Sequence, residues 1–75
     1  MRITLVEELA LRRMLPSPEA RKRIREAAGV SQARVGAEIG VTAQAVANWE
    51  QGTRKVSSEY LQPYVAVLAA LEAAS

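Results

Sequence analysis

The feature that most constrains this chain is its punctuation. Along the middle of the sequence a hydroxyl residue and a glycine alternate: Ser17 then Gly29, Ser31 then Gly40, Thr42 then Gly52. A Ser or Thr oxygen accepts a hydrogen bond from a free N–H at a helix start, and glycine takes up the left-handed conformation that closes a helix. The pattern predicts three helices, from Pro18 to about Ala28, from Gln32 to Ile39 and from Ala43 to Gln51. Pro18 suits the first helical position and Glu19 faces the positive end of the helix dipole. Glu19 with Arg23 and Lys22 with Glu26 stand four residues apart, the spacing of supporting ion pairs.

The ends of the chain also read as helical. Thr4 followed by Glu7 has the form of a capping box, and Pro16 stops the helix it opens. Leu5, Val6 and Leu9 are the expected apolar stripe of that helix, with Met14 and Leu15 near its end. Ser57 or Ser58 opens a last helix in which Leu61, Tyr64, Val65, Leu68 and Leu71 share one face. Pro63 lies inside it and is expected to kink or split it near residue 62. No strand pattern, repeat or low-complexity segment is present. The expectation is an all-α bundle of about five short helices in a single domain, residues 1–75. Residues 1–16 hold an N-terminal helix, 17–56 the central helices and 57–75 a C-terminal helix.

Composition narrows the chemistry. Seventy-five residues leave room for one domain with a thin core. Phe is absent and aromatics are 4%, so a core of Ala, Val, Leu and Ile between closely packed helices is expected. Cys, His and Asp are all absent. Disulfides, thiolate or imidazole metal ligands and the usual near-neutral general base go with them. No glycine-rich phosphate loop and no close acidic pair in a pocket-forming context replaces them, so neither an enzyme nor a cofactor is expected. No apolar run nears the ~20 residues of a membrane span, and Glu7 and Glu8 interrupt the N-terminal apolar stretch where a signal peptide would be uniform. A cytoplasmic protein is expected. The acidic pair also argues against residues 3–15 lying on a membrane.

The net charge of +2 is small, but its distribution is uneven. Residues 17–55 carry seven basic and four acidic side chains, giving +3, and residues 56–75 carry only Glu59 and Glu72, giving −2. Positive charge is gathered in the middle of the chain.

That middle holds the most informative stretch, residues 31–52. Two short helices are joined by the turn Gly40-Val41-Thr42. A crossing at ~90–120° needs a turn residue that tolerates positive φ, which Gly40 supplies, and a small residue at the closest approach, which Gly36 supplies. Val35, Ile39, Val41, Val46 and Trp49 then point inward. Gln32, Arg34, Ala43, Gln44, Ala47, Asn48 and Gln51 are left facing outward. Trp49 is assigned to the core, behind that outward face.

The joint spacing of Ile24-Arg25-Glu26, Gly29-Val30-Ser31-Gln32, Val35, Ile39-Gly40-Val41-Thr42, Val46, Trp49-Glu50 and Gly52 resembles the helix-turn-helix domains of phage repressor and Cro proteins, the Xre type. The resemblance covers about residues 20–68. It implies a lambda-repressor-like fold, here with an extra N-terminal helix, and a regulator that binds double-stranded DNA. The family usually has alanine where this chain has Gly36, and commonly a fifth C-terminal helix. By the family pattern the second motif helix reads bases in the major groove through Thr42, Ala43, Gln44, Ala47 and Asn48. Gln and Asn bond adenine bidentately, so Gln44 and Asn48 are the expected readers. Gln32, Arg34, Thr53, Arg54 and Lys55 are the expected phosphate contacts, flanked by whichever of Arg21, Lys22 and Arg23 point outward. Arg25 and Glu50 are expected to pair as scaffolding. The resemblance leaves open a Cro-like or immunity repressor, an antitoxin that also binds a protein, and a protein-interaction module on the same scaffold. It also leaves open a homodimer on DNA, for which spare apolar surface on the last helix, Tyr60, Val67 and Ala70, is the candidate patch.

Overall fold

A computed structural model describes residues 3–74. Five helices follow in order: α1 (Leu5–Met14), α2 (Pro18–Ala27), α3 (Gln32–Ile39), α4 (Ala43–Gln51) and α5 (Ser58–Ala74). No strand occurs among the described residues.

The caps account for the boundaries. Thr4 Oγ1 accepts from Glu7 N and Glu7 Oε1 accepts from Thr4 N, both at 3.1 Å, so the capping box of α1 is closed in both directions. Ser17, Ser31 and Thr42 accept from the backbone N–H three residues on, at 3.1–3.2 Å. Gly40 closes α3 at φ 94°, a conformation that only glycine adopts without strain.

Gly36 sets the crossing of α3 and α4. Its carbonyl accepts from both Gly40 N at 2.7 Å and Val41 N at 2.8 Å. A Cβ on Gly36 would sit 2.6 Å from the Val41 carbonyl oxygen and 3.1 Å from two backbone atoms of Thr42. The turn therefore folds directly over Gly36.

The core is the cluster Val35, Val46, Trp49, Val56, Leu61, Tyr64 and Leu68. Trp49 stacks obliquely on Tyr64, ring centroids 4.7 Å apart, and more loosely on Tyr60 at 6.1 Å. α5 is the spine, contacting α1, α2 and α3, and α2 also packs on α4.

Several local expectations need correction. α1 does not bury Leu5, Val6 and Leu9. These and Met14 are exposed at 72%, 76%, 48% and 64%, and Ile3, Leu11 and Leu15 pack on the core instead. A tertiary bond accompanies this rotation: Arg12, steadied within α1 by Glu8 at 3.0 Å, donates through Nη1 to the Val56 carbonyl at 3.1 Å on the same side as Leu11 and Leu15. α5 runs unbroken through Pro63. In its second turn the proline removes one helical hydrogen bond, and packing of the following turns outweighs that loss. Glu19, Lys22, Arg23 and Glu26 are all exposed and form neither expected ion pair on α2, because water solvates each charge as well as a partner would. Of the candidate patch on α5, Tyr60 and Val67 are half-buried on the core and only Ala70 is exposed, while the exposed large apolar side chains lie on α1.

Two stability effects follow. In Gly36→Ala the added methyl meets backbone, which cannot swing aside; despite a helix-propensity gain of roughly 1 kcal/mol, a net loss of about 1–3 kcal/mol is expected in thermal or urea denaturation. The Tyr64 hydroxyl is buried with no hydrogen-bond partner among the described residues, and burial, the largest influence, pushes its pKa from 10.0 up to about 12. Tyr64→Phe should leave stability at pH 7 unchanged or raise it by up to about 1 kcal/mol. Wild type should also lose stability as pH rises from 10 towards 12, where the unfolded hydroxyl ionises first, and the variant should not show that loss. A destabilisation by Phe would reveal a partner for the hydroxyl.

Candidate nucleic-acid interface

The geometry of α4 is set by a polar node behind it. Glu50, 6% exposed in the last turn, is gripped by Arg25 of α2 through two parallel bonds, Nε to Oε2 at 2.6 Å and Nη2 to Oε1 at 3.0 Å. Arg25 also donates through Nη1 to the Val30 carbonyl at 2.8 Å, and Gln32 Nε2 donates to Glu50 Oε1 at 3.1 Å. Three helices thus meet on one carboxylate. Burial pushes the Glu50 pKa up, but the bonds from Arg25 and Gln32 and the charge of Arg25 outweigh it and hold the carboxyl below its usual value. The same pairing raises the pKa of Arg25.

Arg21 does not point outward. It donates through Nε to the Pro16 carbonyl at 2.8 Å and through Nη1 to the Trp49 carbonyl at 2.9 Å. The second bond satisfies a free carbonyl at the negative end of α4.

The opposite side of α4 is the outward ridge. Thr42, Ala43, Gln44 and Gln51 are exposed, and Ala47 and Asn48 are half-buried. Gln44 Nε2 donates to Asn48 Oδ1 at 3.1 Å, so the two amides one turn apart form a joined pair. On one flank Thr42, Gln44, Asn48, Arg54 and Lys55 line a shallow cleft whose walls hold no acidic residue. On the other, Gln32, Ala47 and Gln51 share a cleft with Lys22 and Arg23, but also with Glu19, Glu26 and Glu50. The positive charge beside α4 is therefore one-sided.

The loop carrying Arg54 and Lys55 is pinned at both ends. Thr53 donates to the Asn48 carbonyl from its backbone N–H at 3.1 Å and from Oγ1 at 3.3 Å. Val56 is 2% exposed in the core, and its carbonyl holds Arg12. Val56 is thus a loop residue that belongs to the core, and an isolated valine following two cations is its one signal in the sequence. Arg34 is not brought to this surface. With Glu38, Val67 and Leu71 it lines a groove between α3 and the end of α5. Gln32 is half-buried and braces Glu50 as well as starting α3.

Removing the Glu50 carboxylate leaves Arg25 buried without its counter-charge. Glu50→Ala is expected to cost about 3–5 kcal/mol in urea denaturation at pH 7. Because the folded-state pKa of Glu50 is lowered, the stability it supplies is present above the unfolded carboxylate range, near 4.5, and is lost as pH falls through the lower folded value. The gap between wild type and variant should therefore narrow in acid; a gap constant to pH 2 would contradict the pairing.

Among the described residues no helix is long and apolar enough to cross a membrane, and no His, Cys, Asp and Glu group suits a metal ion. No curated protein and no solved structure matches the chain. The family model described as Helix-turn-helix does, over residues 22–70, from within α2 to within α5 and leaving α1 outside. That family comprises non-enzymatic regulatory domains that bind double-stranded DNA. The chain belongs to the Cro/C1-type helix-turn-helix family of DNA-binding transcription regulators.

Proposed function

We propose that this protein is a sequence-specific repressor of the Cro or immunity-repressor kind, which blocks a promoter by occupying it with α4 in the major groove. The observation that carries this reading is the joined amide pair Gln44–Asn48 on the outward ridge, next to an acid-free cleft bearing Arg54 and Lys55.

The pair divides the reading between its members. Gln44 gives one N–H to Asn48 and keeps its other N–H and its Oε1, the donor and acceptor that adenine N7 and N6 require. Asn48 uses its oxygen on Gln44 and turns its two amide N–H donors towards purine N7 or guanine O6. Ala43 and Ala47 beside them suit thymine methyl groups. Arg54 and Lys55 hold one phosphate strand, while the start of α3 at Gln32, with Lys22 and Arg23, approaches the other. The phosphate grip is stronger on the Arg54–Lys55 side, where no carboxylate opposes it.

Selection of bound duplexes from a random pool should return an enriched motif containing adenine in each half-site. Gln44→Ala should lose about 1–3 kcal/mol on that motif and relax preference at one base pair. Lys55→Ala should weaken every duplex alike and reduce the salt slope of binding by about 1. A pool with no enriched motif would overturn the reading.

A further inference from the structure

Two clefts meet at Arg54 and Lys55. One lies beside Gln44 and Asn48. The other, about 350 Å³, shares those two cations and adds Arg12 of α1 and Arg21 of α2, with Leu15 and Val56 as apolar walls. Four cations and no carboxylate line this second cleft. We infer that it is a phosphate site, added to the DNA surface by α1 and the start of α2. Its ligand is a backbone phosphate of the flanking duplex, further along the strand that Arg54 and Lys55 hold.

Like charges gathered in one place repel, so something else must hold them there. Backbone carbonyls hold two of the four. Arg12 donates through Nη1 to the Val56 carbonyl at 3.1 Å, and Arg21 through Nε and Nη1 to the carbonyls of Pro16 and Trp49 at 2.8 and 2.9 Å. A carbonyl fixes a guanidinium without neutralising it. Arg12 has one carboxylate partner, Glu8 on its Nε at 3.0 Å, and Glu8 is not part of the cleft wall. Arg21 forms no ion pair among the described residues. Burial, the largest influence, lowers its pKa, and the charges of Tyr64 and Glu19 oppose this less strongly. That is the behaviour of a cation drawn out of water without a counter-charge in contact. Both guanidiniums keep an Nη2 amino group with no bond among the described residues. The cleft therefore presents donors fixed in advance, of the planar kind that suits phosphate oxygens.

Continuity selects the source of the phosphate. Each DNA strand carries one charge per ~3.4 Å of helix axis, so a strand seated on Arg54 and Lys55 presents further phosphates to either side of them. To one side lies the cleft of Gln44 and Asn48, and to the other lies this one. The flank of α4 that carries Lys22 and Arg23 offers no equivalent, because three carboxylates share it. The family match begins at residue 22, so Arg12 and Arg21 both precede it, and the added grip belongs to this chain's own N-terminal segment. The inference rests on the DNA reading proposed above in one respect, that a duplex lies against Arg54 and Lys55. It does not depend on which bases are read.

The test uses the full chain and a duplex of mixed sequence, so it needs no enriched motif. Affinity followed between about 50 and 200 mM salt gives the salt slope. Arg12→Gln should lower that slope by about 1, which makes the loss of affinity over this range roughly threefold smaller than in wild type. Arg12→Lys keeps the charge and should retain most of the slope. Support of the loop alone would make the two variants equally damaging. Since either variant can loosen the fold, wild type supplies a second readout. The Nε–H signals of Arg12 and Arg21, followed by NMR at low salt, should shift as duplex is added, and at far lower concentration than with inorganic pyrophosphate. Signals that move with pyrophosphate but not with duplex would assign the cleft to a free anion and overturn the inference. An unchanged slope in Arg12→Gln, or equal losses in the two variants, would also overturn it. An enriched motif from the random pool with unmoved Arg12 and Arg21 signals would sink this site and leave the DNA reading standing. Shifted signals without an enriched motif would do the reverse.

Discussion

The Glu50 carboxylate, nearly closed to water, is the point on which the orientation of α4 rests. A core of seven buried side chains supplies cohesion without direction, because apolar contact is roughly proportional to area and tolerates small rotations. The two parallel bonds from Arg25 tolerate far less. They hold the last turn of α4 to α2, and the bonds to Val30 and from Gln32 tie the same node to the entry of α3. A well-packed apolar pair in this place could match the stability. It lacks the directionality by which these bonds fix the angle at which α4 presents its opposite side, where Gln44 and Asn48 stand.

The other two fixed points act on the ends of α4. At its start, the turn folds over Gly36 with no room for a methyl group. At its end, Arg21 holds the Trp49 carbonyl, and the following loop is anchored by Thr53 on Asn48 and by the buried Val56. Arg54 and Lys55 therefore occupy a short segment held on both sides, not a free arm. α1 joins this system through Arg12, which grips the Val56 carbonyl from a helix that lies outside the family match. The extra helix is thus built into the support of the basic loop.

Much of this was legible in the sequence because it is local. Ser17, Ser31, Thr42, Gly40 and Gly52 place helix ends by bonds that span three to five residues, and the structure starts α3 and α4 at Gln32 and Ala43 as those signals require. What was not legible depends on partners distant in the chain. α1 carries apolar residues around much of its surface, and which of them turn inward depends on distant partners, the core against Leu11 and Leu15 and the Val56 carbonyl 44 positions ahead of Arg12. Arg21, at the head of the run Arg21-Lys22-Arg23, looks like a solvated cation until the Trp49 carbonyl, 28 positions ahead, is known to stand beside it. Pro63 reads as a break by its local chemistry, yet Leu61, Tyr64, Val65 and Leu68 bury α5 so fully that one lost bond does not interrupt it.

A net charge of only +2 is compatible with a grip on DNA because screening makes distance matter more than total. At physiological salt charges beyond about 8 Å contribute little, so the cations that count are those beside the reading helix. Arg54 and Lys55 stand in a cleft without carboxylates, whereas Lys22 and Arg23 face Glu19, Glu26 and Glu50. In the reading proposed above one strand is held firmly and the other loosely, which limits the sequence-independent affinity of a single copy. Weak phosphate grip raises the share of binding that must come from base contacts, and so sharpens discrimination. In that reading a lone copy occupies DNA poorly wherever its base contacts are not matched.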